Sequence, residues 1–430
     1  MKKKYNSYSL IKSLSYSMDL ISKTLVGHHK RVAYISYRFG LELGLKTKEM
    51  EKLISAALIH DLGIFYLDQK YQDLRFDNET NYHAEVGFKL FELNSLDLEI
   101  AEIIKYHHHD YPNNPNILSS IVHLADRIAV LISDNRSILN QVDNIMEVID
   151  KNKERFCPDC LTIFSELIKS EAFCLDIVSD EVIIEKLDKY YEKIDSQVNL
   201  DELINISKLI SHIIDFRSPF TAAHSQGLAA VASALAEKFN YSEEECKEIK
   251  AAAYLHDIGK LNVPTEILDK KEQLTKSEWN ILRAHTYYTH RALSTDPELY
   301  KIRDIAANHH EKLDGRGYPF QFDENNLTLS ERIMAVADIF TAISEDRPYR
   351  KGMEENEVKK ILTEMSKNNK IDESVVEILL VNYQEINQLR IKKQKKARSY
   401  YQKFKEKIEK RKIFSLLEEN FSQLYDEIYS

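Results

Sequence analysis

A chain of 430 residues with 59 basic and 69 acidic side chains, a formal charge of −10, has room for two or three domains. Its 43% hydrophobic and 30% charged composition is globular, and 10 glycines with 8 prolines exclude a turn-rich sandwich or barrel and favour long helices. The negative balance makes stable nucleic-acid binding a poor fit, so an anionic ligand must be met by a local positive site. Four cysteines form no disulfide framework and point to a reducing, cytoplasmic compartment. Residues Met1–Leu14 lack the apolar core of a signal peptide, and no run of about 18 apolar residues predicts a membrane span.

In chain order, apolar residues at three-and-four spacing predict helices over Lys30–Leu43, Lys48–Ile59, Ala84–Phe91, Leu98–Tyr106 and Ile117–Ser133. Asp143–Ser196 keeps the helical pattern and reads as the end of a first domain and a linker. The pattern resumes over Leu228–Phe239, Glu243–Leu255, Lys276–Leu293, Pro297–Asn308 and Ser330–Ser344. Beyond Val381 a charged helix follows, in which Arg390–Lys412 holds twelve basic and two acidic residues, with Ile391, Phe404 and Ile408 available as an apolar stripe. Such a helix is expected to pack or dimerise through its stripe rather than to seek a membrane or nucleic acid.

The histidines reveal a duplication. His28 and His224 lie 196 residues apart, as do His60-Asp61 and His256-Asp257. His83 and His285 are 202 apart, as are His107-His108 and His309-His310, while Asp126 and Asp338 are 212 apart. Two small insertions in the second copy account for the drift, and a period of this size means a repeated domain rather than a solenoid. The expected fold class is therefore all-α. Two tandem helical domains, 1–198 with its linker helices and 199–385, precede a basic helical tail, 386–430.

Imidazole and carboxylate ligands together suit Fe, Mn or Zn better than Ca or Mg. An adjacent His-Asp pair at a helix end sets two ligands side by side, and the Asp can bridge two cations about 3.5–4 Å apart, acidifying a shared water and clamping a phosphoryl group. His256-Asp257 with Gly259 reads as such a turn, and His309-His310 is a second adjacent pair. With His224, His285 and Asp338 the second half offers seven ligand-type side chains, enough for two divalent metals with open positions. A single His on an apolar helix face is more often a core residue. His212 and His290, which have no counterpart in the register, are read that way; seven ligand types recurring in order are not.

These residues resemble a family. His256-Asp257-Ile258-Gly259-Lys260 resembles the HD phosphohydrolase superfamily, and His309–Pro319 (HHEKLDGRGYP) is similar to the signature of its HD-GYP branch. Ala337–Arg350 (ADIFTAISEDRPYR) and Thr221–Ser225 (TAAHS) resemble the closing and opening motifs. The likeness spans about 199–383. It implies an all-helical, metal-dependent phosphodiesterase that hydrolyses a cyclic dinucleotide, usually cyclic di-GMP, to the linear dinucleotide or to mononucleotides. It also implies that His224, His256, Asp257, His285, His309, His310 and Asp338 hold two metals, Fe or Mn, with Asp257 bridging. Lys260 would serve the scissile phosphate or the leaving oxygen. Arg347 and Arg350 would grip phosphate oxygens with a bidentate reach that Lys lacks, and Tyr318 would border the site.

Two positions depart from the pattern. Phe220 stands where some members hold a third metal through a Glu, so two metals are expected. Thr289 stands where the family usually has Gly, which implies a reshaped site and makes cyclic GMP-AMP a second candidate substrate. The rivals are an HD phosphohydrolase of a mononucleotide such as ppGpp and a non-catalytic cyclic dinucleotide receptor. The GYP loop argues against the first, and intact ligands with Lys260 against the second.

In the first half, His28, His60, Asp61, His83, His107, His108 and Asp126 preserve every ligand type. It resembles a generic HD domain: the run 107–112 has no glycine, Ile64 matches Lys260, and Asn135 falls over Arg347. Surplus polar groups in a core are costly, so complete retention implies a second metal site. If active, this half is expected to act on something smaller, such as the terminal phosphate of a linear dinucleotide. Cys157 and Cys160, without a second pair or a nearby His, read as structural thiols, and Cys174 and Cys246 as core. Trp279 and the tyrosines are expected to pack helices. His29, His109 and His123 are expected to buttress ligands or to face solvent.

Overall fold

A computed structural model describes residues 4–19, 27–67, 82–194, 196–217, 223–346 and 351–429, the side chains of 67, 216, 217 and 410–429 excepted. The first half runs α1 (Ser7–Asp19), α2 (His28–Glu42), α3 (Thr47–Leu58), α4 (Ile64–Leu67), α5 (Tyr82–Leu93), α6 (Leu98–Tyr106) and α7 (Ile117–Leu131). Then come α8 (Val142–Lys151), α9 (Pro158–Leu167), α10 (Glu171–Asp176) and α11 (Asp180–Tyr191). The second half runs α12 (Leu200–Arg217), α13 (His224–Lys238), α14 (Glu243–Leu255), α15 (Thr265–Leu268), α16 (Lys276–Arg283), α17 (His285–Ala292), α18 (Tyr300–Ala307) and α19 (Leu329–Ser344). The chain closes with α20 (Glu355–Lys367), α21 (Glu373–Val381) and the long α22 (Tyr383–Tyr429).

Helix starts follow their caps. Ser242 accepts the amide N–H of Glu245 while the Glu245 carboxylate takes that of Ser242, and Thr275 with Glu278 repeats the arrangement at α16. Each pair satisfies two amides that the first turn leaves open. The continuous helix expected over Lys276–Leu293 breaks at Ala284 instead. The break lets the His285 ring donate from Nδ1 to the carbonyl of Leu282, 2.7 Å away.

The two halves are interleaved. The two-residue strands β1 (Tyr5–Asn6) and β2 (Gln197–Val198) pair antiparallel and tie the start of the chain to the lead-in of α12. From there α1 packs against the turn Ile258–Asn262, just after His256-Asp257, and α12 packs against α4, just after His60-Asp61. Each leading helix thus touches the His-Asp segment of the other half. Tyr5 donates to Glu248 (2.9 Å) and Ser9 to Asp296 (2.6 Å) across this contact. The buried apolar side chains of both halves form one contiguous core.

Helix α22 lies along both halves. Its buried positions, Tyr383, Ile386, Arg390, Gln394, Ala397, Phe404 and Ile408, follow helical spacing. Ile391 falls off that stripe and is 48% exposed, so within Arg390–Lys412 the expected apolar face is corrected to one in which the polar Arg390 and Gln394 precede Ala397, Phe404 and Ile408. Phe404 meets the Tyr66 ring edge-on at 5.0 Å, and Tyr82 donates to the carbonyl of Ile408 at 2.6 Å. Among the described residues no helix is long and apolar enough to cross a membrane.

Candidate metal centres

In the second half, His256 caps the end of α14, and the chain turns through Asp257 and Gly259 toward α17. A Cβ at Gly259 would stand 1.9 Å from the carbonyl oxygen of His285, so only glycine allows this approach. Thr289, on α17, stitches the turn: it donates to the His256 carbonyl (2.9 Å) and accepts the Gly259 amide N–H (3.1 Å). Its hydroxyl is committed to backbone, so it carries no argument about the substrate.

Three imidazoles share one wiring. His256, His285 and His309 each donate from Nδ1 to a carbonyl three residues back, those of Ala253, Leu282 and Ala306, at 2.9, 2.7 and 2.7 Å. This fixes the tautomer that leaves Nε2 free as a ligand. The ligand atoms of His224, His256 and Asp338 lie within 4.8 Å of one another, and so do those of His285, His309 and His310. Asp257 stands between these groups: its Oδ2 is 3.0 Å from His256 Nε2 and its Oδ1 3.4 Å from His285 Nε2. That Oδ1 is buried and accepts no hydrogen bond.

The charge states suit a cation. Against the cost of burial, the surrounding imidazoles and Lys260 hold Asp257 well below the usual carboxylate range, and His224 leads in doing the same for Asp338. Burial pushes His285 down to about 3 and His310 to about 4. Ionised carboxylates among neutral imidazoles are what a divalent metal requires. His224 is the exception: although burial opposes it, Glu345 and Asp338 raise it to about 10.

Glu345 was missed in the sequence, although it lies within the closing motif. It accepts from His224 Nδ1 at 3.2 Å and from Gln394 of α22 at 2.8 Å. Gln394 fits because residue 227 is Gly, where a Cβ would meet its amide nitrogen at 2.7 Å.

Lys260 Nζ stands 2.6 Å from Asp257 Oδ2. The Tyr318 ring lies 5.0 Å from that of His310 and carries the Arg283 guanidinium 5.0 Å from its centroid. Trp279 approaches Tyr318 edge-on at 6.3 Å and is 44% exposed, so it borders the site instead of packing helices as expected. The loop bearing Tyr318 is shaped by Gly317, where a Cβ would stand 2.4 Å from Glu311 Cα. Glu311 also accepts the amides of Phe320 (2.6 Å) and Gln321 (3.1 Å). Arg347, Arg350 and Phe220 lie outside the described residues.

The first half repeats the geometry. His28 Nε2 is 3.2 Å from Asp126 Oδ1, and Asp61 again faces two ways, with Oδ2 3.2 Å from His60 and Oδ1 3.2 Å from His83. His107 donates to the Ile104 carbonyl (2.6 Å), and His108 Nε2 meets His83 Nε2 at 2.9 Å. Two differences stand out. Arg127, buried, donates to Asp126 Oδ2 (2.5 Å) and to His108 Nδ1 (3.3 Å), where the second half has Ile339. His29, fully buried, bonds Asp19 through Nδ1 (2.6 Å), while its Nε2 makes no hydrogen bond and sits 3.7 Å from Asp61. In the second half Ser225 bonds Asp215 at 2.9 Å. Both pairs obey the 196-residue offset, a signal that was present in the sequence.

The remaining histidines stand aside. His123 packs on Phe156 (5.1 Å), His109 on Tyr106 (5.0 Å), His290 on Phe320 (4.9 Å) and His212 beside Tyr400 (5.6 Å). All four cysteines are free thiols.

The family described as HD domain matches twice, over residues 25–131 and 208–375. This is a tandem HD protein. Its first HD domain precedes a second, longer match. The chain is 26% identical to 3′3′-cGAMP-specific phosphodiesterase 1 of Vibrio cholerae serotype O1 over 402 residues, 88% of this chain and 92% of the relative. A cyclic di-GMP phosphodiesterase of Thermotoga maritima is 34% identical over 185 residues, 43% of this chain and 47% of the relative. The chain spans about half the length of two other relatives it matches. The crystal structure of a cyclic GMP-AMP-specific phosphodiesterase of V. cholerae superposes with a TM-score of 0.59 at 21% identity, covering 89% of this chain and 98% of that one, which bears on the fold.

Proposed function

We infer that the second HD domain is a metal-dependent phosphodiesterase that opens a cyclic dinucleotide to the linear form and, after a second cut, yields mononucleotides. The observation that carries this reading is Asp257, whose two oxygens face two separate ligand groups. His224, His256 and Asp338 would hold one divalent ion, His285, His309 and His310 the other, and Asp257 both. The donor set suits Fe or Mn. Such a pair supplies Lewis-acid neutralisation of the phosphate and an acidified water.

The chain's own residues supply the rest. Lys260, held against Asp257, is placed to protonate the departing 3′ oxygen. Tyr318 and the exposed Trp279 offer ring faces to a base, and Arg283 adds a cation above Tyr318. Among cyclic dinucleotides we favour 3′3′-cyclic GMP-AMP, because the relative of that name aligns across both domains. Comparison of kcat/KM for cyclic GMP-AMP, cyclic di-GMP and cyclic di-AMP decides this. Preference for cyclic di-GMP would overturn the choice of bases, and absence of turnover on all three would overturn the activity.

The first domain would bind metal through its matching ligands. Arg127 there adds a donor-only cation suited to the extra charge of a terminal phosphate. We propose that it removes the terminal phosphate of the linear product. Loss of phosphate release from a linear dinucleotide in His28→Ala supports this, and unchanged release refutes it.

A further inference from the structure

A cleft of about 530 Å³ opens between α12, α13, α14 and α22, with Leu93 of the first domain at its rim, and none of the candidate metal ligands lines it. Four lysines do, Lys208, Lys250, Lys393 and Lys396, against one carboxylate, Glu237. Elsewhere on the same helices lysines are neutralised: Lys247 pairs with Asp201 and Glu243 at 2.9 Å each, and Lys238 with Glu385 at 2.8 Å. Among the described residues none of the four cleft lysines has such a partner. Lys208 and Lys250, half-buried, are held below the ordinary lysine range, first by burial and then by neighbouring lysines. In a chain of net charge −10, four unneutralised ammonium groups facing one space are a local cost that a bound anion removes.

The rest of the cleft sets the ligand's size. Ala229, Ala230, Ala234 and Ala397 give an apolar wall. The polar floor is Tyr254, which donates to Gln226 Oε1 (3.2 Å), and Gln226, whose amide donates to His212 (3.4 Å). The volume lies within the ordinary range for small-molecule sites.

We propose that this cleft binds a phosphate-bearing ligand of nucleotide size, its phosphates held by Lys208, Lys250, Lys393 and Lys396 and its remaining atoms against the alanine wall. The site is separate from the metal centres. It nevertheless lies on the helix that holds one of them, since Gln394, beside Lys393, bonds Glu345 and through it His224.

Calorimetric titration of the full-length Asp257→Ala protein with GTP as probe tests the proposal, because that background disables the dinuclear centre. A saturable isotherm is expected, with affinity falling as salt rises. Lys208→Gln and Lys250→Gln should each weaken it about tenfold, the scale of one charge-assisted hydrogen bond. The double change Lys393→Gln/Lys396→Gln, on the exposed side of α22, should do likewise without altering the melting temperature. Absence of saturable binding, or an isotherm that all these lysine substitutions leave unchanged, would overturn the proposal.

Discussion

The two HD domains carry the same seven ligand types in the same geometry, yet their surroundings differ at several adjacent positions. In both, an Asp splits its oxygens between two ligand groups. Beside that shared frame the second domain has Lys260, Ile339, Ser225 and a glycine-bearing loop with Tyr318, where the first has Ile64, Arg127, His29 and a loop without glycine. The ligands determine that a metal can bind. On the proposed reading, neighbouring residues decide what it would act on: a cation that can give up a proton in one domain, and a fixed guanidinium that cannot in the other.

The largest expected effect separates the domains by that proton donor. Lys260→Ile, which copies the first domain's residue, should lower kcat for cyclic dinucleotide hydrolysis by about a thousandfold with metal content unchanged, a size typical of general acid catalysis. Steady-state kinetics with metal analysis checks it, and a loss of metal instead would assign Lys260 to site assembly.

Next come the paired glycines. Gly259→Ala puts a Cβ 1.9 Å from the His285 carbonyl, and Gly63→Ala puts one 2.0 Å from that of His83. The first should reduce diesterase kcat/KM about a hundredfold, since displacements near 1 Å have that effect. The second should spare it. Equal losses would mean that the interleaved halves fail together.

Trp279→Ala should raise KM for the cyclic dinucleotide about tenfold with little change in kcat, in keeping with one lost stacking contact. A fall in kcat alone would remove Trp279 from ground-state binding. The smallest effect concerns Arg127. Its replacement by Ile, as at position 339, should tighten Mn binding to the first domain a few-fold by removing a neighbouring cation. Manganese titration of the Asp257→Ala protein reads this, and weaker binding would show that Arg127 holds Asp126 in place.

Much of this was legible beforehand. The changing offset between paired histidines picked out the side chains that converge in both His/Asp clusters, and apolar spacing placed the helices that begin at Glu243 and Lys276. What escaped depended on partners that periodicity does not name. Amphipathic α16 has no buried residue, which leaves Trp279 exposed beside Tyr318. Ile391 looked like part of a stripe that Arg390 and Gln394 occupy instead, because Glu345 and His224 require a polar neighbour there. Arg127 and Asp19 drew no reading, and His29 was expected only to buttress ligands or to face solvent, since sequence spacing shows the repeat but not which side of it faces the cluster.

The central claim is that the second domain's converging ligands hold a dinuclear centre that cuts a cyclic dinucleotide. Turnover of 3′3′-cyclic GMP-AMP by anaerobically purified full-length protein, with bound metal counted in the same samples, tests it most directly. Asp257→Ala should lose both turnover and its share of metal, while Asp61→Ala keeps the turnover. An Asp257→Ala protein that hydrolyses the substrate as fast as the unsubstituted chain would contradict the claim.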